Sequence, residues 1–243
     1  MEYHEYSASG EYVHLLSVPV WTDLRPRLAA ALAGVDRDGG AVLELGAGSG
    51  LGTDVLLDGL GNDILAVEPS ASLRGVLLAR LADRGTDRVT VFPGGAIDVP
   101  LPDRIAAVVG MHMVGHLAPA DRKRLWAAVT ERLVPGGPVV LNVQPPAAPE
   151  TVPEFPWMSV TVGGLHYEGT GSAEPTGPDS VRWRMRYRTR REDGTVLAEA
   201  SAEYAWWIVT AEGLAAELAE AGLVATVDDD LVVGVKDGRR STV

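Results

Sequence analysis

Residues 41–50 combine residue types that could hold a nucleoside. The run Ala41-Val42-Leu43-Glu44-Leu45 is apolar apart from one acid, and glycines follow at positions 46, 48 and 50. Glycine tolerates positive φ and places no Cβ in the path of a ligand, so backbone N–H groups there can approach a bound molecule. The pattern predicts a strand that runs into a ligand-binding loop, and chemistry that depends on a nucleoside cofactor.

The spacing of the glycines limits which cofactor the loop binds. A dinucleotide fingerprint requires G-x-G-x-x-G, and counting from Gly46 and Gly48 places Leu51 at the last glycine. Counted as E-x-G-x-G-x-G, the chain matches at Glu44, Gly46, Gly48 and Gly50. This pattern resembles motif I of the class I S-adenosylmethionine (SAM)-dependent methyltransferases. A structural glycine turn and a nicotinamide site are the alternatives.

The resemblance implies cofactor contacts along one edge of a sheet. Glu68 ends the second predicted strand, where a carboxylate can accept both ribose hydroxyls of an adenosine. The family usually has Gly-Asp-Ala after strand three, but Gly95 stands here in place of the acid, so we expect Asp98, backbone or water to bind the adenine amine. The residues expected to bind the cofactor are Tyr12, Glu44, Gly46, Ala47, Gly48, Gly50, Glu68, Pro69, Leu73, Gly95, Ala96, Ile97 and Met111.

Two histidines follow the fourth predicted strand. His112 and His116 lie in the loop at the carboxyl edge of the sheet, where open α/β proteins bind ligands. Histidine can take a proton near neutral pH, so either is a candidate catalytic base. Packing around the cofactor, or a structural role as a hydrogen-bonded histidine of the loop, is the alternative. A zinc site would need a third ligand that the pattern does not supply, so no metal is expected.

Overall composition favours a small-molecule substrate. The 243 residues carry a formal net charge of -12 and contain no cysteine. The negative field opposes nucleic-acid binding. The lack of cysteine excludes disulfides, thiolate metal sites and cysteine nucleophiles. The chain has no apolar run long enough to span a bilayer and no cationic leader, so we expect a cytoplasmic protein without a membrane partner.

Strands and helices alternate along most of the chain. Continuous apolar strands separated by helices predict a parallel sheet covered on both faces. The segment Leu133 to Leu141, with its Pro-Gly-Gly turn, is similar to the helix, turn and fifth strand of the same family. Together these features predict an α/β fold: a Rossmann-like, seven-stranded class I methyltransferase sheet with helices on both faces and an antiparallel β insertion after strand five.

The predicted elements divide the chain into three parts. Residues 1–35 are expected to form a helical lid, in which Thr22 caps a helix that buries Leu24 and Leu28. Residues 36–146 and 209–243 are expected to form the SAM-binding domain, with Thr210 capping its last helix. Residues 147–208 form the insertion, which would serve as an acceptor cap or a dimer surface.

The insertion contains a hairpin whose register can be predicted. If Asp193 and Gly194 form a two-residue turn, paired residue numbers sum to 387. The pairs that follow are Arg188 with Glu199, Arg184 with Glu203, and Trp183 with Tyr204. One face of the hairpin would then carry ion pairs and the other aromatic rings, as expected for a sheet with one solvated and one buried side.

The resemblance implies a methyl transfer from SAM to an oxygen, nitrogen or carbon atom of a small metabolite, such as a natural product or a sugar. Tyr6 and Tyr12 resemble the paired tyrosines with which small-molecule methyltransferases close over their cofactor. A SAM enzyme with a non-methylating activity such as cyclisation, and a nicotinamide oxidoreductase, are the alternatives. The expected assembly is a monomer or a homodimer.

Overall fold

The computed structural model describes residues 6–238, so residues 1–5 of the expected lid and residues 239–243 of the expected SAM-binding domain lie outside the described part. The helices are α1 (Gly10–Ser17), α2 (Trp21–Ala31), α3 (Leu51–Gly59), α4 (Ala71–Arg84), α5 (Pro119–Arg132) and α6 (Ala211–Glu220). The strands are β1 (Ala41–Leu45), β2 (Ile64–Val67), β3 (Val89–Phe92), β4 (Ile105–Gly110), β5 (Pro138–Asn142), β6 (Val152–Val162), β7 (Leu165–Gly177), β8 (Ser180–Arg191), β9 (Val196–Trp207), β10 (Leu223–Asp228) and β11 (Leu231–Lys236).

Seven strands form one sheet in the order β10-β11-β5-β4-β1-β2-β3. The strands from β5 to β3 pair in parallel, and β11 runs antiparallel to both of its neighbours. Strands β4 and β5 are buried along their whole length, as parallel strands covered on both faces must be. The predicted fold class, with its seven-stranded sheet, is confirmed.

Helices cover both faces of this sheet. On one face α5 and α6 contribute Trp126 and Leu218 to a core that includes Leu43 and Leu45 of β1. On the other face α2, α3 and α4 contribute Leu28, Leu56 and Leu77, packed with Val42. Alternate residues of β1 therefore enter opposite cores, because side chains along a strand point to alternate faces.

The two predicted helix caps have different outcomes. Thr210 accepts a hydrogen bond from the backbone N–H of Gly213 at 3.0 Å and caps α6, as predicted. The prediction for Thr22 is wrong, because α2 already begins at Trp21 and is preceded by Val20. Only three residues separate α1 from α2, so the second helix begins before the polar residue that was expected to cap it.

The insertion folds as a second sheet, in the order β6-β7-β8-β9. The predicted pairs Trp183 with Tyr204, Arg184 with Glu203, and Arg188 with Glu199 are confirmed. The turn itself is longer than predicted, since the N–H of Arg191 bonds to the carbonyl of Thr195 across a three-residue loop. A bulge in β9, between Val196 opposite Arg190 and Ala198 opposite Thr189, compensates for the extra turn residue. The pairs farther from the turn than this bulge therefore have the predicted register.

Helix α1 joins the second sheet to the rest of the protein. Tyr12 and Leu16 of α1 pack against Trp183, Tyr187 and Trp206 on the buried face of β8 and β9. The opposite face carries the ion pairs Arg184–Glu203 and Arg188–Glu199. Within residues 6–238, no helix has the length and apolar character needed to cross a bilayer.

Candidate cofactor and active site

The glycine loop between β1 and α3 turns through three left-handed residues. Gly46, Gly48 and Gly50 have φ values of 68°, 57° and 87°, a region that other residues adopt only with strain. A Cβ on Gly46 would lie 2.8 Å from the Cβ of Met113, and one on Gly50 would lie 2.6 Å from Leu77. The loop therefore has no space for side chains at two of its three glycines, whereas a Cβ on Gly48 would have only the Gly46 carbonyl oxygen nearby, at 4.0 Å.

Glu68, at the end of β2, is bonded directly to this loop. Its Oε2 accepts the backbone N–H of Gly48 at 2.8 Å, and its Oε1 accepts that of Ser70 at 2.7 Å. Burial raises the pKa of the carboxyl, and the two N–H donors oppose that rise. Each carboxylate oxygen has two lone pairs, so Glu68 keeps one acceptor position on each oxygen for a diol.

Glu44 is buried beneath the loop. Its Oε2 accepts a hydrogen bond from the Thr53 hydroxyl at 2.7 Å, a partner that the sequence analysis did not identify. Burial raises the pKa of Glu44 to about 8, with the Thr53 bond opposing the rise. A Cβ on Gly52 would lie 2.5 Å from Glu44 Oε1 and 3.0 Å from the Trp21 ring, so that side of the carboxyl is closely packed.

The remaining expected cofactor residues lie after β2, β3 and β4. Leu73 is buried in the first turn of α4, where its N–H donates to Ser70 Oγ at 3.5 Å, and Pro69 is half-buried.

Gly95 and Ala96 are buried after β3, whereas Ile97 is 37% exposed. Asp98 is exposed one turn further on, where its N–H bonds to the carbonyl of Gly95. Met111, after β4, is buried in the core beneath the loop.

His112 adopts an unusual backbone conformation. Its φ is 57°, and its N–H donates to Asn142 Oδ1 at 2.7 Å. The imidazole contacts the Trp21 ring edge to face, with centroids 6.1 Å apart. Burial lowers the pKa of His112, and the charge of Asp230 opposes this. The ring nitrogens make no hydrogen bond to any residue from 6 to 238.

His116 lies in a different environment, a cluster of aromatic rings. Its Nε2 is 3.0 Å from the Tyr6 hydroxyl, and its ring contacts Tyr204 and Trp206 with centroids 5.2 and 4.9 Å away. Burial lowers the pKa of His116 to about 4, so the imidazole is neutral at physiological pH. The two histidines therefore do not share one site, and the described residues contain no group of three potential ligands that could hold a metal ion.

Helix α1 approaches the glycine loop through residues that the sequence analysis missed. His14 Nδ1 is 2.9 Å from Ser49 Oγ, and Arg80 lies 3.3 Å from the same nitrogen. By contrast, Tyr12 directs its hydroxyl to Thr189 at 2.9 Å, within the second sheet. The structure thus places His14, rather than the Tyr12 hydroxyl, in contact with the loop. No motif marked His14, because its contact depends on how α1 packs.

Tyr6 also connects two sides of the site. Its carbonyl accepts the Ser72 hydroxyl at 2.6 Å, and its own hydroxyl meets His116. Ser72 in turn lies 3.2 Å from Ser70, whose N–H bonds to Glu68. The segment before α1 therefore reaches from the Glu68 side of the sheet edge to the loop after β4.

Comparison with known proteins agrees with this geometry. Residues 42–137 match the family model described as a methyltransferase domain. DesVI from Streptomyces venezuelae has a similar structure, with a TM-score of 0.75 and 19% identity over 93% of this chain and 96% of its own. No curated protein sequence matches the chain.

Two further solved structures resemble the chain over most of its length. CalS10, an amino pentose methyltransferase from Micromonospora echinaspora solved with SAM bound, covers 90% of each chain at 19% identity, with a TM-score of 0.67. KedS8, a sugar N-methyltransferase from Streptoalloteichus sp ATCC 53650, covers 89% of this chain and 86% of its own at 20% identity, with a TM-score of 0.63.

The matched domain and the fold point to one class of protein. Residues 42–137 match a methyltransferase domain, and the described residues share the fold of the solved methyltransferases CalS10 and KedS8. The residues of the site also fit SAM as a cofactor, since a Cβ on Gly48 would have no protein atom closer than 4.0 Å and Glu68 beside it offers acceptor positions suited to a ribose.

Proposed function

We propose that the protein transfers the methyl group of SAM to a nitrogen or oxygen atom of a small natural product or sugar. Glu68 would hold the ribose hydroxyls, and the loop from Gly46 to Gly50 would lie against the amino acid end of the cofactor. Bound SAM supplies a methyl group on a sulfonium whose sulfur keeps the bonding electrons as the methyl leaves. Positioning the acceptor in line with that bond, with water excluded, can supply several kcal/mol.

The proton that the acceptor loses would pass to His112. Its imidazole has no hydrogen-bond partner within residues 6–238, so a ring nitrogen is free to accept a proton, and burial lowers the pKa of His112, which favours the neutral form that a base requires. His116 is less suited to this role, because its Nε2 already meets the Tyr6 hydroxyl. We therefore assign proton acceptance to His112 and the shaping of the acceptor pocket to His116 with Tyr6.

Helix α1, the segment before it and the second sheet would cover the acceptor. The contact of Tyr6 with Ser72 holds the N-terminal part against α4, and that of His14 with Ser49 holds it against the glycine loop. Trp206 of β9 packs so closely on the loop after β4 that a Cβ on Gly115 would clash with its ring. The residues that meet the acceptor would then come from both the lid and the insertion.

An amino sugar is the acceptor class to test first. The relatives named above include an amino pentose methyltransferase and a sugar N-methyltransferase. An amine loses a proton on methylation, as His112 acting as a base would require. The formal charge of -12 is consistent with an acceptor that is not a nucleic acid.

The experiment is a transfer assay with SAM labelled in its methyl group. The purified chain is incubated with amino sugars and with hydroxylated sugars of matched size, and label in the product is counted. We expect label in an amino sugar, and a fall in kcat of about 100-fold in His112→Gln. His166→Gln is the matched control, because His166 lies in β7 of the insertion and its ring, among residues 6–238, bonds to Thr161 alone. SAM binding without transfer to any acceptor would favour a non-methylating activity.

A further inference from the structure

His112 is held in its left-handed conformation by a specific partner. A residue other than glycine at φ 57° is disfavoured by roughly 1–2 kcal/mol, so it persists only where its surroundings fix it. The short bond from the His112 N–H to Asn142 Oδ1, 2.7 Å long, supplies that restraint. The direction of the imidazole therefore depends on a side chain thirty residues further along the chain.

Asn142 is itself fixed by further partners. It ends β5, is 2% exposed, and its Nδ2 donates to Asp230 Oδ2 at 3.3 Å. Asp230 lies at the turn between β10 and β11, where its Oδ1 accepts a hydrogen bond from Arg27 at 2.6 Å. Arg27 also donates to the carbonyl of Asp228 at 2.7 Å. A continuous series of hydrogen bonds thus runs from α2 to the backbone of His112.

The amide orientation of Asn142 follows from these partners. Its oxygen must face the His112 N–H, so its NH₂ group faces the carboxylate of Asp230, an acceptor that is itself held by Arg27. Helix α2 acts on the ring side as well, because Trp21 contacts the imidazole. Both the backbone and the ring of His112 are therefore fixed through α2.

We propose that Asn142, oriented by Asp230, is a positioning residue that directs the His112 imidazole toward the acceptor. This inference rests on the proposed function, in which His112 accepts the proton of the acceptor. Asn142 acts through His112 and makes no contact with the reacting atoms in this role. Removing it would release the backbone of residue 112 from φ 57° and turn the imidazole away, while the glycine loop and Glu68 keep their own contacts.

The first test compares Asn142→Ala and Asp230→Asn with the wild-type chain. We expect kcat to fall at least about tenfold in Asn142→Ala and less in Asp230→Asn, with KM for SAM unchanged. Asp229→Asn is the matched control, because Asp229 lies in the same turn, is exposed and has no hydrogen bond or ion pair with residues 6–238. Equal kcat in Asn142→Ala and wild type would overturn the proposal.

Exchanging the side chains of residues 142 and 230 tests whether activity depends on a hydrogen-bond donor at one position facing an acceptor at the other. Asn142→Asp places two carboxylates together and should reduce kcat, although its oxygen still accepts the His112 N–H. The double variant Asn142→Asp/Asp230→Asn restores a donor opposite an acceptor, since the amide at 230 can donate to the carboxylate at 142. We expect it to recover kcat to within about threefold of wild type. A double variant as slow as the slower single variant would count against the proposal.

A spectroscopic readout separates positioning from a general loss of structure. In protein with labelled histidine, the His112 ring signal is assigned by its absence in His112→Gln. We expect Asn142→Ala to shift or broaden that signal and to leave those of His116 and His166 in place. If the signal stays unchanged while kcat falls, Asn142 acts by another route. If the wild-type chain transfers no methyl group at all, the proposed function fails, and the inference fails with it.

Discussion

Gly46 and Met113 lie so close together that a Cβ on the glycine would stand 2.8 Å from the Met113 Cβ. The first residue of the glycine loop therefore packs directly against the loop that carries the two histidines. This contact sets the separation between the glycine loop, where we propose that SAM binds, and the residues that we assign to the acceptor. It also explains why a residue without a side chain is needed at position 46.

Alanine substitutions at different glycines of the loop should lower the free energy of unfolding by different amounts. Gly46→Ala combines positive φ with the Met113 clash and should lower the free energy of unfolding by roughly 2–3 kcal/mol. Gly48→Ala has positive φ but no protein atom closer than 4.0 Å to the new Cβ, so it should cost about 1 kcal/mol. Gly75→Ala, in the exposed interior of α4, should stabilise slightly. Urea unfolding measures all three, and equal costs for Gly46→Ala and Gly48→Ala would rule out the clash.

The buried Glu44 should make stability fall as pH rises. Its pKa is raised from 4.5 to about 8, so its favourable contribution is complete below 4.5 and is lost as pH rises toward 8. Between pH 5 and 8 the loss should be on the order of 3 kcal/mol. Glu44→Gln should remove this slope when unfolding is followed across that range. A slope equal to that of wild type would show that Glu44 ionises normally.

His116 should make the protein less stable as the pH falls into the acid range. Its pKa is lowered from 6.5 to about 4, so its contribution is present above 6.5 and is lost as pH falls through that window. The expected loss is up to about 3 kcal/mol between pH 6.5 and 4. His116→Gln should flatten this part of the profile, whereas His166→Gln should leave it unchanged. An unchanged profile in His116→Gln would contradict the buried, neutral state.

Local patterns were sufficient to predict the fold. Apolar runs and glycines placed β1 at Ala41–Leu45 as observed, and the alternation of strands and helices, together with the family resemblance, predicted the seven-stranded sheet. The hairpin register was correct although the turn was not two residues long, because a bulge in β9 offset the longer loop. Side-chain periodicity and cross-strand charge are local properties, and they fix a register more firmly than the type of turn does.

The site was only partly predictable, because much of it depends on contacts between distant residues. The positions of Glu68 and the glycines followed from motif spacing. The Thr53 partner of Glu44, the contact of His14 with Ser49, and the bonds from Arg27 to Asn142 arise from the packing of helices against the sheet edge. The separation of His112 from His116 was also hidden, because the sequence placed both in one loop and gave no sign of the left-handed backbone at residue 112.

Calorimetric titration of SAM into the wild-type chain, Glu68→Gln and Asp63→Asn tests the central claim most directly. Asp63 immediately precedes β2, at the end opposite Glu68, and is exposed, so its substitution is a matched loss of one carboxylate. We expect wild type and Asp63→Asn to bind SAM with the same affinity and Glu68→Gln to bind it at least about tenfold more weakly. Absence of SAM binding by the wild-type chain, or equal affinity in Glu68→Gln, would contradict the claim.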